Sequence, residues 1–155
     1  MPDNPGQNEI AEALGRSVAH VLETTCYAAV LGQANAPDQQ EGCISVRVRF
    51  ESRSPGSLTV TLPRRVAETL ATDFLGARSA QPLGRLAVEE ALSEVSNMIA
   101  GTFLSEIQRD ARFKLFPPQI LAGDEAAANR TAARWFDLGD GALGVTLRLE
   151  PAAGS

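Results

Sequence analysis

Three features of the sequence predict an α+β fold in which one mostly antiparallel sheet packs against long helices. Cys43–Glu51 and Leu143–Leu149 alternate apolar and polar residues with the period of a strand. Two longer stretches, Glu9 to about Leu31 and Leu86 to Gln108, repeat apolar residues at the three-and-four spacing of a helix. The elements run as a long helix, a hairpin and a shorter helix, then a long helix followed by strands. These two halves of similar plan form an internal pseudo-repeat, although identity between them is not obvious.

Residues 1–8 hold two prolines, an asparagine and a glycine and are expected to be a disordered tail. In the first helix Ile10, Leu14, Val18, Val21, Leu22, Thr25 and Ala29 make the buried stripe, and Gly32 is placed to end it. GQANAPDQQEG follows as a polar loop. In Cys43–Glu51 the side chains of Ile44, Val46, Val48 and Phe50 face one way and those of Ser45, Arg47, Arg49 and Glu51 the other. One buried and one solvated face favour antiparallel pairing. Pro55-Gly56 turns the chain, and Leu58, Val60 and Leu62 alternate on the return strand of a hairpin.

Pro63 suits the first turn of a helix whose apolar face is Val66, Leu70, Phe74 and Leu75, closed by Gly76. ARSAQPLG is a loop into the Leu86–Gln108 helix. Arg112 to Phe116 reads as a short strand stopped by Pro117-Pro118, and QILAG as another extended piece. DEAAANRT fits either a turn of helix or a loop. Thr131 to Leu138 is one arm of a second hairpin, with Trp135 as a large buried anchor. Gly139-Asp140-Gly141 is its turn. Leu143, Val145, Leu147 and Leu149 face inward on the other arm, with Thr146, Arg148 and Glu150 facing out. Residues 151–155 are a frayed end, so a single domain spans 9–150.

The length and an apolar content of 44% suit one domain with a sizeable core. A net charge of −5, few aromatics and no long basic run argue against a nucleic-acid partner. No apolar run is long enough to span a bilayer, and MPDNPGQNEI lacks the layout of a signal peptide, so a cytoplasmic location is expected. Cys26 and Cys43 lack nearby ligands and His20 is the only histidine. Most zinc sites and any His-dependent triad are thereby excluded. Both cysteines read as reduced and structural.

The Leu86–Gln108 helix organises the chain. Val88, Ala91, Leu92, Val95, Ile99, Thr102, Phe103 and Ile107 recur on one buried face. With Val95 at the centre of that face and about 100° per residue, Glu90, Glu94, Asn97 and Gly101 form a second, outward stripe. Asn and Gly are each poorer helix formers than Ala by roughly 0.5–1 kcal/mol, which makes them unusual in a helix middle. One reading is that Asn97 is an ordinary surface amide and Gly101 lets another helix approach. The other is that a carboxylate and an amide are presented together to a partner, with Gly101 removing bulk beneath it.

EVSNMIAG within this helix resembles the E-x-x-N motif, followed by M-I-x-G, of the CheX-like branch of the CheC/CheX/FliY chemotaxis phosphatases. Glu94 and Asn97 match the motif, Gly101 the glycine after it and Glu90 the acidic residue before it. Upstream SLTVTLPRRVAETLATDFLG and downstream FPPQILAG are similar to flanking segments of the family, so the resemblance covers about residues 17 to 150. It implies a CheC/CheX-like fold and hydrolysis of the aspartyl phosphate of a CheY-type response regulator. Asn97 would orient the attacking water. Glu94 would pair with the regulator's lysine, and Glu90, Glu94 and Gly101 would meet the partner. No cofactor is implied for this chain, since the Mg2+ belongs to the regulator.

The chain departs from the family in three ways. EIAEALGRSVAHVLETTCYA carries no second E-x-x-N, which fits the one-motif CheX branch. Thr102 stands where relatives often have asparagine, and Ser96 where an apolar residue is common; both changes bear on partner choice. The resemblance further implies a homodimer joined through its sheets, for which strand 143–149 at a sheet edge is a candidate. A non-catalytic adaptor that binds a response regulator, or a purely structural dimer, would use the same fold without hydrolysis.

Overall fold

The computed structural model describes residues 6–35, 42–53, 55–76, 83–108, 112–121 and 134–149. Cys43–Glu51 is strand β2, and the return strand β3 (Gly56–Pro63) pairs with it antiparallel along its whole length. Val46 lies opposite Val60 and Val48 opposite Leu58, so the apolar sets of both strands share one side. Among the described residues three helices, α1 (Gln7–Thr25), α2 (Arg64–Leu75) and α3 (Arg85–Ile107), accompany the sheet. α2 and α3 lie against β2 and β3, and α1 packs on α3. Gly15 of α1 also comes close to Phe136.

The remaining strands are β1 (Gly32–Ala34), β4 (Lys114–Leu115), β5 (Gln119–Leu121), β6 (Arg134–Asp137) and β7 (Ala142–Leu149). They extend the sheet to the order β1-β6-β7-β3-β2, with β4 and β5 both on the free edge of β2. Every pairing among the described residues is antiparallel. Read from the other end, the order exchanges β1 with β5, β2 with β6 and β3 with β7. The internal repeat is therefore visible in topology: each half lends the strand after its long helix to the other half's hairpin.

Several expectations from the sequence need correction. α1 begins at Gln7, inside the 1–8 stretch expected to be a tail; residues 1–5 and 150–155 lie outside the described residues. α1 also stops at Thr25 rather than near Leu31. Thr24 and Thr25 turn their hydroxyls back onto the carbonyls of His20 and Val21, and Tyr27 takes a left-handed φ of 55°. The N–H groups of Cys26 and Ala28 both donate to the Leu22 carbonyl and close the helix. Ala29 is consequently exposed. Gly32 opens a strand, because β1 pairs with β6 in what the sequence reads as a loop. Pro63 ends β3 and precedes α2 rather than entering its first turn.

Further along the chain, Gly76 closes α2 in the left-handed region, as its sequence position implies. The expected strand over 112–116 shrinks to Lys114–Leu115, and the expected arm over 131–138 is a strand over Arg134–Asp137. DEAAANRT lies outside the described residues. Strand β7 sits between β6 and β3, so it is not a sheet edge available to a second copy; among the described residues the edges are β1 and the β4/β5 pair.

The side of the sheet away from the helices is not simply solvated. Ser45, Thr59, Thr61 and Thr146 point there and are buried, with Ser45 and Thr61 joined hydroxyl to hydroxyl at 2.8 Å. Trp135 is buried on the same side and lies across Gly144, where a Cβ would come within 2.9 Å of the indole ring. At the strand end Leu149 is exposed rather than inward.

Gly56 marks the tightest backbone packing in the sheet. A Cβ there would collide with the Arg148 carbonyl oxygen and lie 2.9 Å from the Phe50 ring. Backbone cannot yield as a flexible side chain would. Gly56→Ala is therefore expected to lower stability by about 2 kcal/mol or more, read as a shift in the urea midpoint at constant slope.

Candidate functional site

α3 runs unbroken from Arg85 to Ile107 despite Asn97 and Gly101 in its middle. Tertiary packing supplies what helix propensity lacks. α3 touches α1, α2 and four strands, β2 to β5. Its buried set is wider than the sequence stripe: Ser96, Ala100 and Leu104 are buried along with Val88, Ala91, Leu92, Val95, Ile99 and Phe103, whereas Thr102 and Ile107 are half-buried. Arg16 of α1 ties down one flank by an ion pair with Glu106, its Nε donating at 2.7 Å.

What remains open on α3 is a narrow strip. Glu90, Glu94 and Met98 are exposed, and Asn97 and Gly101 are half-buried beside them. The structure thus brings Glu90, Glu94, Asn97 and Gly101 onto one outward side and keeps Asn97 out of the hydrophobic interior. Neither the carboxylates of Glu90 and Glu94 nor the Asn97 amide has a hydrogen bond or ion pair among the described residues. Glu89, by contrast, is held by Arg85 at 2.9 Å. Two carboxylates four residues apart repel by a few tenths of a kcal/mol with no cation between them. Gly101 faces a neighbour rather than empty space, since a Cβ there would sit 3.7 Å from Leu115 Cδ1, an ordinary contact.

Chemically, the strip offers unengaged acceptors and one amide that both donates and accepts. It can bind a cation through the carboxylates and hold a water through the amide. It offers no nucleophile or histidine base. Among the described residues no group of three or more His, Cys, Asp or Glu side chains is placed to hold a metal ion.

Ser96, one residue before Asn97, is fully buried and its Oγ has no hydrogen-bond partner among the described residues. Its side chain thus lies in the core beneath the strip. An unsatisfied buried hydroxyl costs stability. Ser96→Ala is expected to raise stability by roughly 1 kcal/mol, measured by denaturant titration, with the outer strip unchanged.

Sequence reasoning missed a groove beside the strip. Its volume is about 510 Å³, and it runs between the end of α2, the start of α3 and β5, with Leu75, Leu86, Ile120, Glu90 and Glu94 among its walls. Leu75 is expected on the buried face of α2 but is half exposed, because the helix's last turn passes the edge of the core. The one sequence signal was Leu86, an apolar residue two positions before the buried stripe begins at Val88.

Comparison with known proteins follows the same lines. The family model described as "Chemotaxis phosphatase CheX" matches residues 44–136. None of the curated proteins compared matches the chain. Among solved structures, the CheX protein of Desulfovibrio desulfuricans superposes with a TM-score of 0.71 at 21% identity, covering 92% of this chain and 99% of that one. A CheX from Vibrio vulnificus gives 0.69 at 18% identity over 95% and 100% of the two chains. The CheX of Borrelia burgdorferi, solved as a CheX–CheY–BeF3–Mg2+ complex, gives 0.69 at 17% over 92% and 98%. At these identities the structures show a shared fold. No helix among the described residues is long and apolar enough to cross a membrane.

Proposed function

The chain belongs to the CheX family of chemotaxis phosphatases, and on that premise we propose that it hydrolyses the aspartyl phosphate of a CheY-type response regulator. The observation that carries this reading is the state of Glu94 and Asn97. They are neighbours on the open side of a continuous helix, and neither side chain is engaged among the described residues. The relative from Borrelia burgdorferi was captured with CheY, which supports the choice of partner.

In the proposed reaction the helix inserts both side chains into the regulator's active site. Glu94 pairs with the regulator's lysine and sets the depth and direction of docking. The Asn97 amide accepts one hydrogen bond from a water and directs its oxygen in line with the phosphorus. Asparagine is no useful base, so its contribution is position. Phosphoryl transfer is sensitive to that, because positioning and charge stabilisation supply most of the acceleration. The Mg2+ that neutralises the phosphoryl oxygens stays on the regulator, and this chain binds no cofactor. Water attacks phosphorus, the aspartyl carboxylate leaves, and inorganic phosphate is released. The setting we assign is the cytoplasm, with a homodimer as the working unit.

The test is inorganic-phosphate release from each phosphorylated CheY-type regulator of the source genome, with and without this protein. Accelerated release from at least one regulator is expected. Tight binding with no change in the dephosphorylation rate of any of them would replace the phosphatase by an adaptor.

A further inference from the structure

We propose that the groove between α2, α3 and β5 is a second docking point for the regulator, receiving a segment in which a basic side chain lies next to an apolar one. This rests on the phosphatase reading above and adds to it a determinant of partner choice that lies away from the reacting atoms. The groove presents unusually bare apolar side chains: Leu86 is 74% exposed, Leu75 50% and Ile120 38%. They come from three different elements and meet around Glu90 and Glu94, which line the same groove.

Two arguments choose the occupant. The first is reach. Leu86 lies about two turns, roughly 12 Å, N-terminal of Glu94 along α3. A protein docked through a standard interface covers about 800 Å² per partner, a disc roughly 16 Å in radius. A regulator centred on Glu94 and Asn97 therefore lies over the groove. The second is charge. Glu90 and Glu94 have no cation among the described residues, whereas Glu89 is already neutralised by Arg85. With Glu94 taken by the regulator's lysine, Glu90 is the carboxylate left on the wall of this apolar cleft, which is best filled by a segment that brings both greasy surface and positive charge. A second copy of this acidic chain is a poorer match for the same wall.

The experiment measures Kd for a CheY-type regulator held in its active form with beryllofluoride and Mg2+, alongside phosphate release and the oligomeric state by light scattering. Leu86→Ala removes buried apolar contact and is expected to weaken Kd about tenfold, with kcat at saturation within twofold of wild type. Leu86→Lys, which also occupies Glu90, weakens it further, and Leu86→Met retains binding. Glu90→Gln reduces the dependence of Kd on ionic strength. An unchanged Kd in both Leu86→Ala and Leu86→Lys overturns the proposal. So does a change of oligomeric state in these variants without a change in Kd, which would make the groove a contact between copies. Failure of the phosphatase reading has a different signature, namely undiminished phosphate release by Asn97→Ala.

Discussion

Asn97→Ala is expected to remain folded and to bind the active regulator as wild type does, yet to lose acceleration of phosphate release by about 10²-fold at saturation. The structural reasons bear on each part of that result. The Asn97 side chain is half-buried and makes no hydrogen bond among the described residues, so its removal orphans no partner. Alanine is also the better helix former at a mid-helix position, which favours folding by several tenths of a kcal/mol. What disappears is a polar group able to fix a water against the phosphorus, a loss that falls on kcat rather than on Kd. Asn97→Gln sharpens the test. It restores the amide but moves it by one methylene, and positional catalysis predicts little recovery. Stopped-flow phosphate release with a separate binding titration checks both variants. Full activity in Asn97→Ala would remove the residue from the mechanism.

Glu94→Lys is expected to depress binding and turnover together, with kcat/KM falling by about 10²-fold. The carboxylate is exposed and has no ion pair among the described residues, so in isolation it contributes little to stability. On docking it would leave water against the regulator's lysine, and reversal of its charge replaces an attraction with a repulsion at short range. The substitution spares the fold. A lysine at this position stands four residues after Glu90, the favourable order for a helical ion pair worth a few tenths of a kcal/mol. Melting temperature thus holds or rises while affinity collapses, a pattern that a merely structural residue would not produce. Unaltered affinity in Glu94→Lys would show that the carboxylate does not dock.

The contrast between these variants and Gly56→Ala or Ser96→Ala separates two roles that lie close together in the sequence. Ser96 and Asn97 are consecutive, yet one points into the core and the other toward the open strip. A single residue of helical rotation, about 100°, is enough to pass from stability to chemistry.

Most of the secondary structure was legible from period alone. The β2–β3 hairpin and the α3 helix appear where the alternation and the three-and-four spacing put them, because each depends on a repeating contrast between a side against the core and another away from it. Reading failed where the contrast was weak or the partner distant. Spacing extends α1 through Ala29 to Gly32, whereas the helix is ended by backbone bonds to Leu22 and by Tyr27. β1 has three residues with no pattern of their own, which the sequence presents as a loop and which become a strand only by pairing with β6. Ser45 and Thr146 are buried on the side that alternation marks as outward, because alternation tells which side of a sheet a residue faces and not whether that side is wet.

The candidate site divides in the same way. Glu90, Glu94, Asn97 and Gly101 share one side of α3 by the arithmetic of 3.6 residues per turn, and local sequence alone determined that. Which side of α3 stays open was decided by the tertiary structure, since α1, α2 and the sheet cover the rest of its circumference. The groove was also beyond sequence. Leu75, Leu86 and Ile120 are far apart along the chain, and only the packing of α2 and β5 against α3 brings them around the two carboxylates. Local periodicity depends on a residue's own helix or strand, whereas exposure depends on everything that packs against it.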